Sequence, residues 1–62
     1  MNKEMVKDLL KRLQIKNWIS DYGKGFFIVQ VSTHYVYFCN NEIVDRETFY
    51  QELPKIHKVK NF

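Results

Sequence analysis

The apolar positions of the first sixteen residues follow a helical spacing. They recur three and four residues apart, as they do on one face of an α-helix. These positions are Met5, Val6, Leu9, Leu10 and Leu13. Asn2 precedes them and belongs to the residue types that cap helix N-termini. The pattern predicts a first helix over about residues 3 to 16.

The middle of the chain changes to a strand pattern. Residues 25–41, GFFIVQVSTHYVYFCNN, contain no Asp, Glu, Lys or Arg. Polar residues interrupt the run near its centre, so it does not predict a membrane-spanning helix, which needs about 20 mostly apolar residues. It predicts two strands with Thr33-His34 at the turn, so that Val31 faces Val36. The core face then consists of Phe27, Val29, Val31, Val36 and Phe38.

The strand before this segment has two possible registers. Residues 17–22 are predicted to form a strand that enters a hairpin at Gly23-Lys24-Gly25. A two-residue loop pairs Trp18 with Val31, whereas a three-residue loop pairs Ile19 with Val29 and turns Trp18 to the other face. A slip of one residue exchanges the two faces of a strand, and the sequence is compatible with both registers.

A short fourth strand and a second helix follow. Asn40-Asn41 suits a tight turn, because Asn tolerates positive φ, and the turn brings Ile43 back opposite Phe38. Asp45 has the character of a helix N-cap. The apolar stripe of the second helix consists of Phe49, Tyr50 and Leu53. Pro54 predicts an end to this helix near Glu52 or Leu53.

These elements predict a single small α+β domain over residues 1–62. It has an N-terminal helix, an antiparallel three-stranded meander with a short fourth strand, and a C-terminal helix. Both helices are expected on one face of the sheet, because that face supplies apolar partners for their stripes. Residues 54–62, PKIHKVKNF, are expected to form a basic tail that docks in part through its apolar residues.

The predicted order of elements resembles that of double-stranded RNA-binding domains and of HicA-type toxins. The RNA-binding family presents lysines at the start of its second helix, where this chain has DRETFYQEL. The toxins carry a catalytic His in a strand after a glycine turn, where this chain has Phe26 and Phe27. The resemblance therefore concerns the order of elements and implies neither function.

Length and composition narrow the possible ways of stabilising the fold. A chain of 62 residues buries only about 60% of the surface that its unfolded form exposes. Cys39 is the single cysteine, which excludes an internal disulfide, and no Cys/His spacing predicts a zinc site. No cofactor or small-molecule substrate is expected. Self-association, as a dimer for example, or a bound partner is the expected support.

Composition also suggests a setting for the protein. Residues 1–12 lack the apolar region and cleavage site of a signal peptide, so a cytoplasmic, non-membrane location is expected. A bias toward Lys, Asn, Ile, Phe and Tyr is typical of AT-rich genomes. Together with the small size, it points to a bacterium or a phage.

The net charge of +3 is unevenly distributed along the chain. Residues 1–24 hold six basic and three acidic residues, residues 42–53 hold one basic and four acidic, and residues 54–62 hold three lysines and no acid. A basic chain is compatible with nucleic acid or with an acidic protein surface. The basic residues that would contact nucleic acid are Lys3, Lys7, Lys11, Arg12, Lys16, Lys58 and Lys60.

The face of the sheet opposite the predicted core is the first candidate for a functional surface. It is uncharged and aromatic, and Trp18 or Tyr22 joins it in one of the registers. Its candidate interface residues are Phe26, Ile28, Tyr35, Tyr37 and Cys39. Three interpretations are open: the tail folds over this face, the sheet simply exposes some of its tyrosines, or the face binds a macromolecule. Nucleic-acid platforms place basic residues beside their aromatics, so a protein partner or self-association fits better.

No catalytic set is predicted. His34 and Cys39 are separated by about 16 Å along one strand, too far for a nucleophile and its base. The sequence therefore predicts a non-enzymatic binding module, such as an inhibitor or adaptor of a larger bacterial protein. The alternative is a basic regulatory protein that binds nucleic acid through its first helix and C-terminal lysines.

Overall fold

The computed structural model describes residues 1–56 and has an α+β fold. Two helices flank four strands: α1 (Lys3–Arg12), β1 (Trp18–Gly23), β2 (Phe26–Val31), β3 (His34–Cys39), β4 (Glu42–Val44) and α2 (Arg46–Ile56). The strands form one antiparallel sheet in the order β1-β2-β3-β4. The predicted fold class, element order and short fourth strand are confirmed.

Helix α1 begins as predicted and ends four residues early. The Met5 backbone N–H donates to Asn2 Oδ1 at 2.9 Å, which confirms the N-cap. At the other end the Ile15 N–H donates to the Leu10 carbonyl at 2.9 Å, and the Gln14 N–H donates to the Lys11 carbonyl at 3.1 Å. This pair of bonds is a Schellman motif. It requires a left-handed residue, and Gln14 takes that place with φ 55°.

Replacing Gln14 with glycine is expected to stabilise the protein. A side chain at positive φ is strained, so Gln14→Gly should raise the free energy of unfolding by about 0.5–1 kcal/mol. Lys11→Gly, inside the same helix, should instead lower it by about 1 kcal/mol. Urea denaturation with unchanged m-values measures both. A loss of stability in Gln14→Gly would contradict the assignment of strain to this position.

The β1–β2 hairpin combines features of both predicted registers. Ile19 pairs with Val29 and Trp18 with Gln30, as in the three-residue-loop register. Gly23 pairs with Phe26 nevertheless, and the register shifts between Asp21 and Gly23. The shift is a β-bulge, in which one strand carries an extra residue. Because of this bulge, the connection consists of only two residues, Lys24 and Gly25. The rest of the hairpin keeps the register of the three-residue loop, which places Trp18 on the face of the sheet opposite the face of Ile19.

The predicted turn at Thr33-His34 is wrong by one residue. His34 already belongs to β3, and it pairs with Val31 across a turn at residues 32–33. Ser32 accommodates the turn with φ 57°. The pairing slips by two residues, so that Val29 lies opposite Val36. Because a slip of two preserves the alternation of faces, the predicted set of core residues is unaffected.

The next turn and its pairing are confirmed. Asn40 and Asn41 have φ values of 50° and 65°, as a hairpin turn with two positive φ angles requires. The turn brings Ile43 opposite Phe38, in the predicted register.

The two helices lie on opposite faces of the sheet, so the prediction that they share one face is wrong. The α1-side core consists of Val6, Phe27, Val29 and Phe38. The α2-side core consists of Phe26, Ile28, Cys39 and Phe49. Val44 pairs with Tyr37 and packs against the α2-side core. Since α2 starts only two residues later, the chain enters the helix on that face of the sheet.

Helix α2 has the predicted start and a later end. The Thr48 N–H donates to Asp45 Oδ1 at 2.8 Å, which confirms Asp45 as the N-cap. The predicted end before Pro54 is wrong, because the helix continues to Ile56. Leu53 and Ile56 pack against the α2-side core, and this packing holds the last turn although proline cannot donate a backbone hydrogen bond.

Part of the predicted basic tail therefore belongs to a helix. Pro54, Lys55 and Ile56 form the last residues of α2. The predictions for residues 57–62, including the nucleic-acid contacts of Lys58 and Lys60, lie outside the described residues.

Candidate functional site

Helix α2 covers one half of the aromatic face that the sequence predicts as an interface. Phe26, Ile28 and Cys39 are buried beneath the helix, against its residue Phe49. The expectation that these three residues form an exposed surface is wrong. This apolar part of the sheet packs against α2 and is thereby removed from solvent. Among the predicted interface residues, Tyr37 is half-buried and Tyr35 is exposed.

The other half of this face is uncovered and contains an aromatic row. Trp18, Gln30 and Tyr35 are successive partners across β1, β2 and β3, and so they lie side by side. Trp18 is 70% exposed and Tyr35 is 54% exposed. Since neighbouring strands are about 4.8 Å apart, the backbones of Trp18 and Tyr35 are separated by roughly 10 Å.

Further aromatic contacts extend this row toward α2. The ring centroids of Tyr35 and Tyr37 are 6.5 Å apart, and those of Tyr37 and Tyr50 are 6.0 Å apart. Arg46 Cζ lies 5.7 Å from the centre of the Tyr50 ring, at cation–π distance. We call the set of Trp18, Tyr35, Tyr37 and Tyr50 the aromatic patch.

Sequence reasoning found half of the aromatic patch. Tyr35 and Tyr37 were predicted, and Trp18 was placed here by one of two registers. Tyr50 was missed because the helical pattern assigned it to the buried stripe, whereas it is 48% exposed. Tyr22, the other candidate for this face, packs against the α2-side core with its ring 5.6 Å from Phe49.

Charged residues stand at both ends of the aromatic patch. A shallow cleft beside Trp18 is lined by Lys16, Asn17, Gln30 and Ser32. A second cleft beside Tyr50 is lined by Asp45, Arg46, Glu47 and Gln51. The patch therefore has an apolar centre and a polar rim, the arrangement typical of protein interfaces.

The basic residue nearest the start of α1 is engaged within the molecule. Lys3 Nζ lies 2.5 Å from Asp21 Oδ2 and 3.7 Å from Glu4 Oε2. The hydrogen bond to Asp21 raises the pKa of Lys3, and the same bond lowers the pKa of the Asp21 carboxyl. Lys3 therefore ties α1 to β1 and is a weak candidate for a phosphate contact.

The other predicted nucleic-acid residues are not brought onto one basic surface. Arg12 pairs with Asp8 at 2.9 Å. Lys7 and Lys11 line a shallow cleft that also contains Glu4 and Asp8. Lys16 lies beyond the end of α1 and borders Trp18 instead. Acidic residues therefore interrupt the flank of α1 that the sequence suggested as a basic stripe.

The titratable groups of β3 do not form a reactive pair. His34 begins the strand and Cys39 ends it. Burial raises the pKa of the Cys39 thiol, and the nearby charge of Glu52 adds to this effect. The thiol is therefore held in its neutral, less nucleophilic form. In the described part of the chain, no group of three or more His, Cys, Asp or Glu residues is placed to hold a metal ion.

No protein-family model matches the chain, and no curated protein or solved structure shows significant similarity to it. Within residues 1–56, no helix is both long enough and apolar enough to cross a membrane. We therefore infer function from the geometry of the aromatic patch.

Proposed function

We propose that this protein is a non-enzymatic binding module that acts by protein–protein contact at the aromatic patch. The observation that carries the proposal is the exposure of Trp18 beside Tyr35 on an uncharged part of the sheet. Trp, Tyr and Arg are the residue types that most often dominate the energy of protein interfaces. Arg46 above Tyr50 adds the third type.

The aromatic patch offers enough apolar area to anchor a partner. A Trp or Tyr side chain buries about 150–250 Å² when it is fully covered. Trp18 is 70% exposed and Tyr35 is 54% exposed, so most of this area is available to a partner. Covering both gives on the order of 5 kcal/mol before the costs of association. Contacts at the polar rim would then have to supply the rest of the affinity.

The patch is also held rigidly, which lowers the cost of binding. Trp18 and Tyr35 stand on strands of one sheet, and Tyr37 and Tyr50 pack against Phe49. Aromatic side chains have few rotatable bonds, so little conformational entropy is lost when a partner covers them. A rigid patch on a very small domain suits an inhibitor or adaptor of a larger bacterial protein in the cytoplasm.

Nucleic-acid binding through α1 and the C-terminal lysines is the alternative, and it has less support. Lys3 and Arg12 are paired with carboxylates. Phosphate binding by Lys7 and Lys11 would also have to overcome the neighbouring Glu4 and Asp8. Contacts of this kind weaken steeply as salt rises, which separates the two functions experimentally.

Removing Trp18 and Tyr35 from the aromatic patch is expected to weaken partner capture strongly. Tagged wild-type protein and the Trp18→Ala/Tyr35→Ala variant are incubated with a bacterial lysate, with and without nuclease, at low and high salt. We expect a discrete protein to be retained by the wild type at both salt concentrations. Its recovery should fall at least about 30-fold in the variant, the loss that a single interface hot spot of about 2 kcal/mol produces.

A charge variant provides the control for this experiment. Lys7→Glu/Lys11→Glu changes α1, which packs against the other face of the sheet, and should retain the same protein as the wild type does. Recovery of nucleic acid that disappears at high salt and in the lysine variant would replace the proposed function with the alternative. Retention of the protein by Trp18→Ala/Tyr35→Ala would show that the aromatic patch is not the interface.

A further inference from the structure

Helix α1 turns only part of its apolar face to the sheet. Val6 is buried in the α1-side core, and Leu10 packs against it. Met5, Leu9 and Leu13 follow one another at intervals of four residues and are 44% to 58% exposed. Residues four apart lie in one row along a helix. The row is therefore an apolar ridge that the sheet of the same chain leaves largely uncovered.

This ridge faces the β4 edge of the sheet. Lys3 pairs with Asp21, so its flank of α1 faces β1. Met5 comes two residues later and points roughly 200° away around the helix. Ile43 on β4 lies opposite Phe38, on the same face of the sheet as α1, and is 70% exposed. We call Met5, Leu9, Leu13 and Ile43 the α1–β4 surface.

The α1–β4 surface is separate from the aromatic patch. The patch lies on the face of the sheet that packs against α2, and the α1–β4 surface lies on the opposite face. A partner bound to one surface leaves the other accessible. Occupancy of the α1–β4 surface is therefore independent of the proposed function.

We propose that the α1–β4 surface binds a second copy of this chain. The chain carries a net charge of +3, so two copies repel each other, and the repulsion is weakest when the surfaces that meet are themselves neutral. The charges that flank the ridge are Asp8 and Arg12, paired at 2.9 Å. The charges of Asp8 and Arg12 cancel within one copy. In a dimer, Asp8 of one copy can also pair with Arg12 of the other.

The spacing of the ridge suits contact with an identical helix. Rows of residues four apart on two helices interdigitate at a crossing angle of about −50°, with axes 8–10 Å apart. In a symmetric dimer the central residue of such a row lies near the two-fold axis. Leu9 occupies that position between Met5 and Leu13.

A dimer interface would occupy a modest share of the molecular surface. A stable interface covers about 800 Å² per partner, roughly 15% of the 5173 Å² accessible surface of this chain. The ridge and Ile43 supply its apolar centre. The same contact would cover part of β4, a three-residue edge strand with unpaired backbone groups.

Sedimentation equilibrium tests the proposal with a matched pair of variants. The average mass of the wild type should rise from monomer to dimer between about 1 μM and 1 mM, the range of a small interface. Leu9→Glu places two like charges near the axis and should raise the dimer Kd at least about 30-fold. Lys7→Gln makes the same change in charge on the opposite flank and should leave the Kd unchanged.

Two further measurements keep the result independent of folding. Far-UV circular dichroism should show that Leu9→Glu keeps the wild-type fold, because Leu9 is half exposed. Leu9→Cys should form disulfide-linked dimers under mild oxidation at least about tenfold faster than Lys7→Cys, since a disulfide needs Cα atoms within about 7 Å.

Three outcomes would overturn the proposal. The first is a wild type that stays monomeric at about 1 mM. The second is an unchanged Kd in Leu9→Glu. The third is a dimer lost in Trp18→Ala/Tyr35→Ala and retained in Leu9→Glu, which would assign self-association to the aromatic patch.

Discussion

Phe49→Ala is expected to lower the free energy of unfolding by about 3–5 kcal/mol, the cost of removing a fully buried aromatic side chain. Phe49 is 0% exposed, and its ring contacts those of Tyr22, Phe26 and Tyr37. A domain of this size has only about 3–9 kcal/mol of total stability. The variant should therefore be largely unfolded at 37 °C, as measured by urea and thermal denaturation followed by circular dichroism.

The adjacent residue provides the control for this prediction. Tyr50 belongs to the same helix but is half exposed, so Tyr50→Ala should cost less than about 1.5 kcal/mol. It should still weaken partner capture, because Tyr50 belongs to the aromatic patch. If Phe49→Ala cost no more than Tyr50→Ala, α2 would not depend on the α2-side core for its position.

The opposite placement of the two helices explains which parts of the fold could be predicted. Alternation along β2 and β3 correctly separated Phe27, Val29 and Phe38 from Phe26 and Ile28. It did not reveal which helix covers which set, because both sets are apolar. The short connection from Val44 to α2 decides this, and its direction depends on backbone geometry.

The parts of the candidate site that depend only on local sequence patterns were predicted correctly. Tyr35 and Tyr37 follow from alternation, since their face depends only on parity along β3. The face of Trp18 depends on a bulge near the β1–β2 turn, which the Gly23-Lys24-Gly25 pattern permits but does not require. Phe26, Ile28 and Cys39 were assigned to the wrong environment because burial beneath α2 is a tertiary effect.

The two turns at one end of the sheet are in close backbone contact. Gly25 has φ +79°, and its carbonyl accepts from the Asn41 N–H at 3.0 Å. The Met1 nitrogen donates to the Asn41 carbonyl at 2.6 Å. This chain of bonds joins the β1–β2 turn, the β3–β4 turn and the segment that leads into α1. The relative position of α1 and the sheet thus depends on a close backbone contact.

Gly25→Ala is therefore expected to lower the free energy of unfolding by about 2–4 kcal/mol, as the sum of backbone strain and steric overlap. An added Cβ would lie 2.9 Å from the Asn41 nitrogen and 3.0 Å from the Asn40 Cα, and neither backbone atom can move independently of the turn. Urea denaturation measures the loss. Hydrogen exchange at Asn41 should accelerate as well, because its N–H loses its partner.

Gly23→Ala separates strain from overlap. Gly23 also has positive φ, at +86°, but nothing lies within 4 Å of an added Cβ. Its substitution should therefore cost only the conformational strain, about 1–2 kcal/mol. The difference between the two variants is the energy of the contact between the turns. Equal losses would mean that the turns can separate without cost, and the position of α1 would then depend on the packing of Val6 and on the Lys3–Asp21 pair.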